Sequence, residues 1–463
     1  MTKTKISEFR KTVYQSLRRR ADILFDLIDA LTVAGQVSSP VALSEQKPFR
    51  RKFCSVYDGL GNGEMDIGEI LALLPGCVPE DSETIAGYKV YAVDATPNEH
   101  EESETLPDRS LLKSNKKDPA RYGHKYSWLV RLIHFGTSWA APVDIERINT
   151  ESTDTKLAAV QVQELDLRDK EPKVIVADSR YEDRHFLGNF EHFQHTFGLI
   201  RLHSNRLLYE APQEKPKGSL GAPRKHGQSF KLNAAHRSAD QSETFQLGQQ
   251  TVRVQAWHKL HFKKMARLIG ALIQIEFLKA DGTPRYKRPL WLFWTGPQDV
   301  TLSDLCRMYL WRFAIEHLFR FLKQHMGLNS NRSPNLVSAQ QWIWCCALAY
   351  WQLLLLRAVV KEDYPAWYPP NRRQRAKLTP YQVQRSALIF LLELGTPAAM
   401  PRPAGKGTGR QKNHHPAPRT RYPVVFKSKK VPKSPATGPY LVFAFLFLRL
   451  STFAHFWCVT LLL

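Results

Sequence analysis

Apolar residues set several rhythms along this chain. From Phe9 to Gly35 they fall at helical spacing (Leu17, Ile23, Leu24, Leu27, Ile28, Leu31), which predicts a helix that stops at Gly35. Near residue 86 the period shortens. Tyr88–Asp94, Lys125–Phe135 and Trp139–Ile148 read as strands of a meander, and Thr153–Leu167 as a helix. Lys173–Asp178 is a short apolar run, buried on both faces, and Gly198–Leu202 follows as a further strand. A meander, a helix and strands reached by crossover predict an α/β fold with a mixed sheet flanked by helices. Residues 206–287 interrupt it with loop-forming stretches, the alternating Thr251–Trp257, and a hairpin in which Ala271–Leu278 and Arg288–Trp294 flank Asp281-Gly282.

The helical rhythm then returns. Thr301 and Asp304 are positioned to cap a helix, and Gly327 to end it. Asn335–Val360 is apolar all round but carries Gln340, Gln341, Gln352 and Arg357, which suits a core helix better than a membrane span. The expected organisation is a helical DNA-binding region (1–84), a catalytic core in two parts (85–205 and 288–395) around the β-rich insertion (206–287), a basic proline-rich disordered arm (396–439), and an apolar tail (440–463). The tail reads either as a membrane segment or as an appendage translated past the natural end of the domain.

Charge sharpens this picture. The 463 residues carry a formal net charge of +23, which points to a polyanionic partner, nucleic acid before membrane. Basic clusters at Arg18-Arg19-Arg20 and Lys47–Lys52 suit a DNA-contacting unit. The six cysteines form no C-x-x-C pair and no zinc spacing, and they read as buried thiols of a reducing cytoplasm. No apolar run at the N-terminus suits a signal peptide.

Three acids stand out by position: Asp94 and Asp178 where apolar strands end, and Glu316 within the helix that follows Thr301. Adjacent parallel strands deliver their carboxyl ends to one edge of a sheet, and a helix across that edge can add a third carboxylate. Acids gathered this way need cations, and Mg²⁺ or Mn²⁺ takes oxygen ligands. Two such ions about 3.5–4 Å apart would activate water or a 3′-hydroxyl and stabilise a departing 3′-oxygen. On a helix at 100° per residue, Arg312, Glu316 and Lys323 fall at about 300°, 340° and 320° from Tyr309, one narrow polar stripe. Glu182, Asp183 and Asp144 are rival acids, less well placed.

The gapless spacing Tyr309-x2-Arg312-x3-Glu316-x6-Lys323 resembles the signature of DDE transposases of the insertion-sequence family numbered four and its relatives. Asp94 and Asp178 match that family's two aspartates in strand context and order. The resemblance implies a ribonuclease H-like fold and cut-and-paste chemistry: nicking by water, hairpin formation, hairpin opening, and joining of the 3′-ends to target DNA. It implies Asp94, Asp178 and Glu316 as catalytic metal ligands, with Tyr309, Arg312 and Lys323 holding phosphates. The family places a Gly and an aromatic just after the second aspartate; here Ser179-Arg180-Tyr181 keeps only the aromatic. Relatives stack a flipped base on a tryptophan of the insertion, for which Trp257, Trp291 and Trp294 are candidates. Arg224-Lys225 lies in a loop similar to a minor-groove hook, with Ala222 in place of a basic residue. The implied partners are double-stranded DNA, both terminal inverted repeats and target, and a second copy of the chain, with no small-molecule substrate. The implied location is the bacterial cytoplasm, at the nucleoid. Rival readings are a two-metal nuclease or resolvase without strand transfer, and an inactive DNA-binding remnant.

Overall fold

The computed structural model describes residues 3–112, 120–212, 224–234, 237–360, 378–403, 409, 415 and 417–426. Most of the basic arm and all of the apolar tail therefore lie outside the described residues. Among those described, no helix is long and apolar enough to cross a membrane. Residues 1–424 form one compact unit.

The chain begins with α1 (Lys3–Gln15), β1 (Leu17–Arg19), α2 (Ala21–Val33), α3 (Phe53–Asn62), β2 (Glu64–Met65) and α4 (Ile67–Leu73). The single helix expected from Phe9 to Gly35 is thus two helices. The arginine run departs from helical geometry: Leu17 and Arg19 pair with Met65 and Glu64, and Arg20 takes a left-handed φ of 55°. Two of its guanidinium groups, about half exposed, pair with local acids. Arg18 meets Asp66 at 3.2 Å and Arg20 meets Asp58 at 2.9 Å. Arg50 and Arg51 both pair with Asp26, whose side chain is buried. Much of the N-terminal basic charge is neutralised within the fold.

The strands that follow are β3 (Lys89–Glu99), β4 (Ser110–Leu112), β5 (Arg121–Leu132) and β6 (Ala140–Ile148). Then come α5 (Asp154–Arg168, capped by Thr153), β7 (Lys173–Ala177) and β8 (Thr196–Leu202). The insertion contributes β9 (Leu207–Glu210), β10 (Ser229–Lys231), β11 (Gln241–Leu247), β12 (Gln250–Phe262) and β13 (Met265–Leu278), and β14 (Leu290–Trp294) returns from it. The anticipated turn at Asp281-Gly282 is present, with Gly282 at φ 79°. Among the described residues these strands make one mixed sheet, ordered β10-β9-β12-β13-β14-β8-β7-β3-β5-β4, with β11 beside β12 and β6 beside β5. Only β3–β7 and β7–β8 are parallel. The insertion is continuous with the core sheet, because β14 pairs with β8 in register Trp291↔Leu202 to Trp294↔Leu199.

Helices close the layers: α6 (Leu302–Trp311), α7 (Phe313–Gln324), α8 (Leu336–Leu356) and α9 (Pro380–Leu394). The Asn335 side chain accepts from Ser338 N to start α8. Trp342, Trp344, Tyr350 and Trp351 of α8 are buried against α2, α3 and the sheet, and the Trp351 indole donates to Pro142 O at 2.8 Å. A buried network ties the N-terminal helices to α8: Arg10 pairs with Asp29 at 2.6 Å, and Gln352 donates to the same carboxylate at 2.9 Å. Cys306, Cys345 and Cys346 are buried as expected, whereas Cys54 is exposed.

Candidate active site

The parallel ladder between β3 and β7 runs from Lys89↔Lys173 to Ala92↔Val176. Asp94 and Asp178 each lie two residues beyond its last pair, at matching height and on the same face. The expectation that Asp94 ends its strand needs correction. β3 continues to Glu99 because β5 pairs along it past Asp94↔Trp128. It is β7 that stops. The chain then turns tightly through Ser179–Tyr181, and the Asp178 carboxylate caps that turn by accepting from Arg180 N at 2.9 Å. The sheet opens beside Asp94, where its β7 neighbour ends.

Helix α7 lies over this opening. Ile315, Leu318, Phe319 and Leu322 are buried beneath it, and Phe319 meets Trp128 edge-on with ring centres 5.7 Å apart. Thr301 caps α6 through Asp304 N, and Gly327, at φ 62°, follows α7, as the sequence predicts. The two helices are not one straight rod, however. The bonds from Arg312 N to Tyr309 O and from Ile315 N to Arg312 O, both 3.0 Å, tighten the backbone at Arg312. Tyr309 is consequently buried, near the charges of Arg201, Arg312 and Asp178.

Arg312 connects the acids. Its side chain is only 6% exposed; Nη2 donates to Glu316 Oε1 at 2.6 Å, and Nη1 lies 3.9 Å from Asp94 Oδ2. The guanidinium carbon stands 5.9 Å from the centre of the Tyr309 ring and 5.5 Å from that of Phe313. Burial pushes the Asp94 carboxyl up to about 6; the charges of Asp178 and Glu316 add to the rise, while the Ala95 N–H and Arg312 oppose it. Burial also lowers Lys323, against the pull of Glu99 and Asp94. The predicted acids therefore share one electrostatic neighbourhood, with Lys323 at its margin.

The oxygen-rich donor set suits a hard divalent cation, and a buried acid whose ionisation its acidic neighbours oppose is what such a cation would relieve. Among the described residues, however, no three His, Cys, Asp or Glu side chains are drawn together tightly enough to hold a metal ion. Arg312 fills part of that role.

The rival acids have structural duties. Glu182 is buried and bound to His203 and Arg206. Asp183 accepts from His185 N, Phe186 N and Thr155 Oγ1. Asp144 is buried in β6. Trp257, Trp291 and Trp294 are all buried core residues. The indole N–H groups of Trp257 and Trp294 donate to Arg237 O and Pro297 O, and their burial leaves neither ring a free face for a base. Arg224 and Lys225 are exposed, just before β10. The sequence reading missed a cleft beside the α6–α7 junction, lined in part by Arg201, Tyr286, Arg288, Tyr309, Arg312 and Phe313. Tyr286 is 56% and Phe313 48% exposed. No periodicity flags Arg201 or Arg288; only the pairing of β8 with β14 brings them near the helix.

Comparison with known proteins adds the family. A family model described as a transposase DDE domain matches residues 85–352, more than half of the chain. No curated protein matches. A solved structure described as a piggyBac transposase synaptic complex with hairpin DNA aligns with 82% of this chain and 74% of its own, at 11% identity and a TM-score of 0.42.

Proposed function

The chain belongs to the transposase DDE domain family, and from that premise we propose that it cuts and joins DNA at the ends of an insertion sequence of the family-four type. The observation that carries the reading is the register of β3 and β7. It sets Asp94 and Asp178 side by side, where α7 brings Glu316 and its partner Arg312. These three carboxylates are the residues that would hold Mg²⁺ or Mn²⁺. When bound, such ions activate water or a 3′-hydroxyl and stabilise the departing 3′-oxygen.

The chain's own residues would do the rest. The half-buried floor made by β3, β5 and α7 limits water around Asp94 and strengthens each electrostatic contact there. Tyr309, buried beside Arg312, fixes the α6–α7 bend that aims Arg312 and Glu316 toward Asp94. Arg312, Arg201 and Arg288 offer guanidinium groups to phosphates along the cleft. Lys323 supplies positive charge toward Asp94. In this reading the fold is the ribonuclease H-like core of the family, the DNA is duplex carrying terminal inverted repeats, two copies act together at the ends, and the work takes place at the bacterial nucleoid.

Glu316→Gln tests it. The variant is expected to lose Mg²⁺-dependent nicking of the element's terminal repeat while binding that DNA with near-normal affinity. Undiminished nicking would refute the assignment. Nicking by the wild-type chain with no joined product under any condition would instead favour a nuclease without strand transfer.

A further inference from the structure

We infer that Arg312 is a built-in counterion of the acidic site, with which a divalent cation competes and which a DNA phosphate draws away, so that DNA and cation binding reinforce each other. The inference rests on Asp94 and Glu316 being acids that receive the cation.

Three observations carry it. First, the acids are already engaged by a side chain. The Arg312 guanidinium is bonded to Glu316 at 2.6 Å and lies 3.9 Å from Asp94, in a space where its side chain is almost fully enclosed. A cation drawn to both carboxylates competes with Arg312 for their negative charge. Second, the pair can be reached from outside, because the Glu316 side chain is 41% exposed. Third, Arg312 has somewhere to go. It lines the cleft that Arg201, Arg288 and Tyr286 share, and its guanidinium carbon lies 5.9 Å from the centre of the Tyr309 ring and 5.5 Å from that of Phe313. Those rings stabilise a cation on either side of the bend. Phe313 lines the same cleft and is half exposed, so a side-chain rotation past it would turn the fork toward a phosphate. Among the described residues Arg312 Nε has no hydrogen-bond partner, which leaves a donor unused in the present pose and available to a phosphate oxygen in the other.

The linkage is reciprocal. If phosphate takes Arg312, Glu316 is released and the cation site opens; if a cation takes Glu316, Arg312 is presented to DNA. Arg312 acts here as a positioning residue, through the acids.

Mn²⁺ binding to the full-length chain, read from the loss of the free-ion paramagnetic resonance signal, tests this without turnover. Wild type, Arg312→Gln, Arg312→Lys and Asp94→Asn would be titrated with and without a duplex of the element's end. Without DNA, Arg312→Gln is expected to bind Mn²⁺ roughly tenfold more tightly than wild type. Arg312→Lys, which keeps the charge but loses the fork, should fall between them. Duplex should tighten wild-type Mn²⁺ binding at least roughly fivefold and change Arg312→Gln far less. Equal or weaker binding by both Arg312 variants overturns the inference while leaving the active-site reading intact, provided Asp94→Asn still loses the ion. If no chain binds Mn²⁺ in any condition, or Asp94→Asn binds as wild type does, both the inference and the active-site reading fall. Far-ultraviolet circular dichroism of each variant guards against a misfolded protein being scored as a binding change.

Discussion

At the scale of single residues, the acids were legible because their surroundings mark them. Asp94 and Asp178 each follow a run of Val and Ala that has no other use for a charge. What could not be read was the company they keep. The i,i+4 spacing allows Arg312 to pair with Glu316, but nothing in it says that Arg312 also turns toward Asp94, since that depends on how the bend sets the helix over the sheet. Nor does the sequence show the two buried imidazoles of His100, just past the end of β3, and His124 of β5, with ring centres 5.5 Å apart. Burial holds His100 down to about 3, helped by the charges of His124 and Arg109, and holds His124 down to about 4, against the pull of Pro107 O. Both lie below the ordinary value of about 6.5. Folded pKa values below unfolded ones mean that this contribution to stability is complete above about pH 6.5 and is lost as the pH falls toward 4 and below, at up to roughly 1.4 kcal/mol per pH unit for each imidazole. His100→Gln should therefore flatten the loss of stability between pH 7 and pH 5, measured by urea unfolding at each pH. An unchanged pH slope would show that these imidazoles are not held neutral.

At the scale of elements, periodicity located the strands around the acids and the helices α5 and α8, and turn chemistry located the cap of α6 at Thr301. It did not find the break at Arg312, because residues on both sides keep right-handed helical dihedrals and the apolar positions continue across it. It also ran α1 and α2 together, since β1 owes its extended form to its partner β2, far along the chain. The end of α7 is better determined. Gly327 has φ 62°, and a Cβ placed there would stand 2.7 Å from Val37 O and 2.8 Å from Val37 Cβ. The Trp342 indole also donates to Gly327 O at 3.0 Å, which fixes the turn between α7 and α8. Gly327→Ala should lower unfolding free energy by at least about 1–2 kcal/mol from the left-handed backbone alone, and by more if Val37 does not give way. Because this turn sets where α7 ends over the sheet, DNA nicking should fall further than the folded fraction does. A denaturation midpoint within error of wild type would mean that the turn relaxes without cost.

At the scale of the whole molecule, the surplus of positive charge identified a polyanionic partner without saying where it binds. The sequence reading gave the N-terminal arginine clusters to DNA, yet the fold engages Arg18, Arg20, Arg50 and Arg51 with acids of the same region. Such pairs are not visible in a linear string, because Asp26, Asp58 and Asp66 come beside the arginines only when α2, α3 and α4 pack. The continuity of the insertion with the core sheet was hidden for the same reason: it is settled by β14 finding β8. Under the proposed reading, the cations available to DNA include the cleft arginines Arg201 and Arg288 and the exposed Arg224 and Lys225. Each phosphate contact releases condensed counterions, so every cation that truly touches DNA adds about 0.9 to the slope of log affinity against log salt. Replacing Arg224 and Lys225 together by Ala should reduce that slope by roughly 1–2. Arg20→Ala should leave it unchanged, because Arg20 already answers Asp58. Fluorescence anisotropy over a salt series separates the two, and a slope altered by Arg20→Ala but not by the loop substitutions would return the DNA contact to the N-terminal helices.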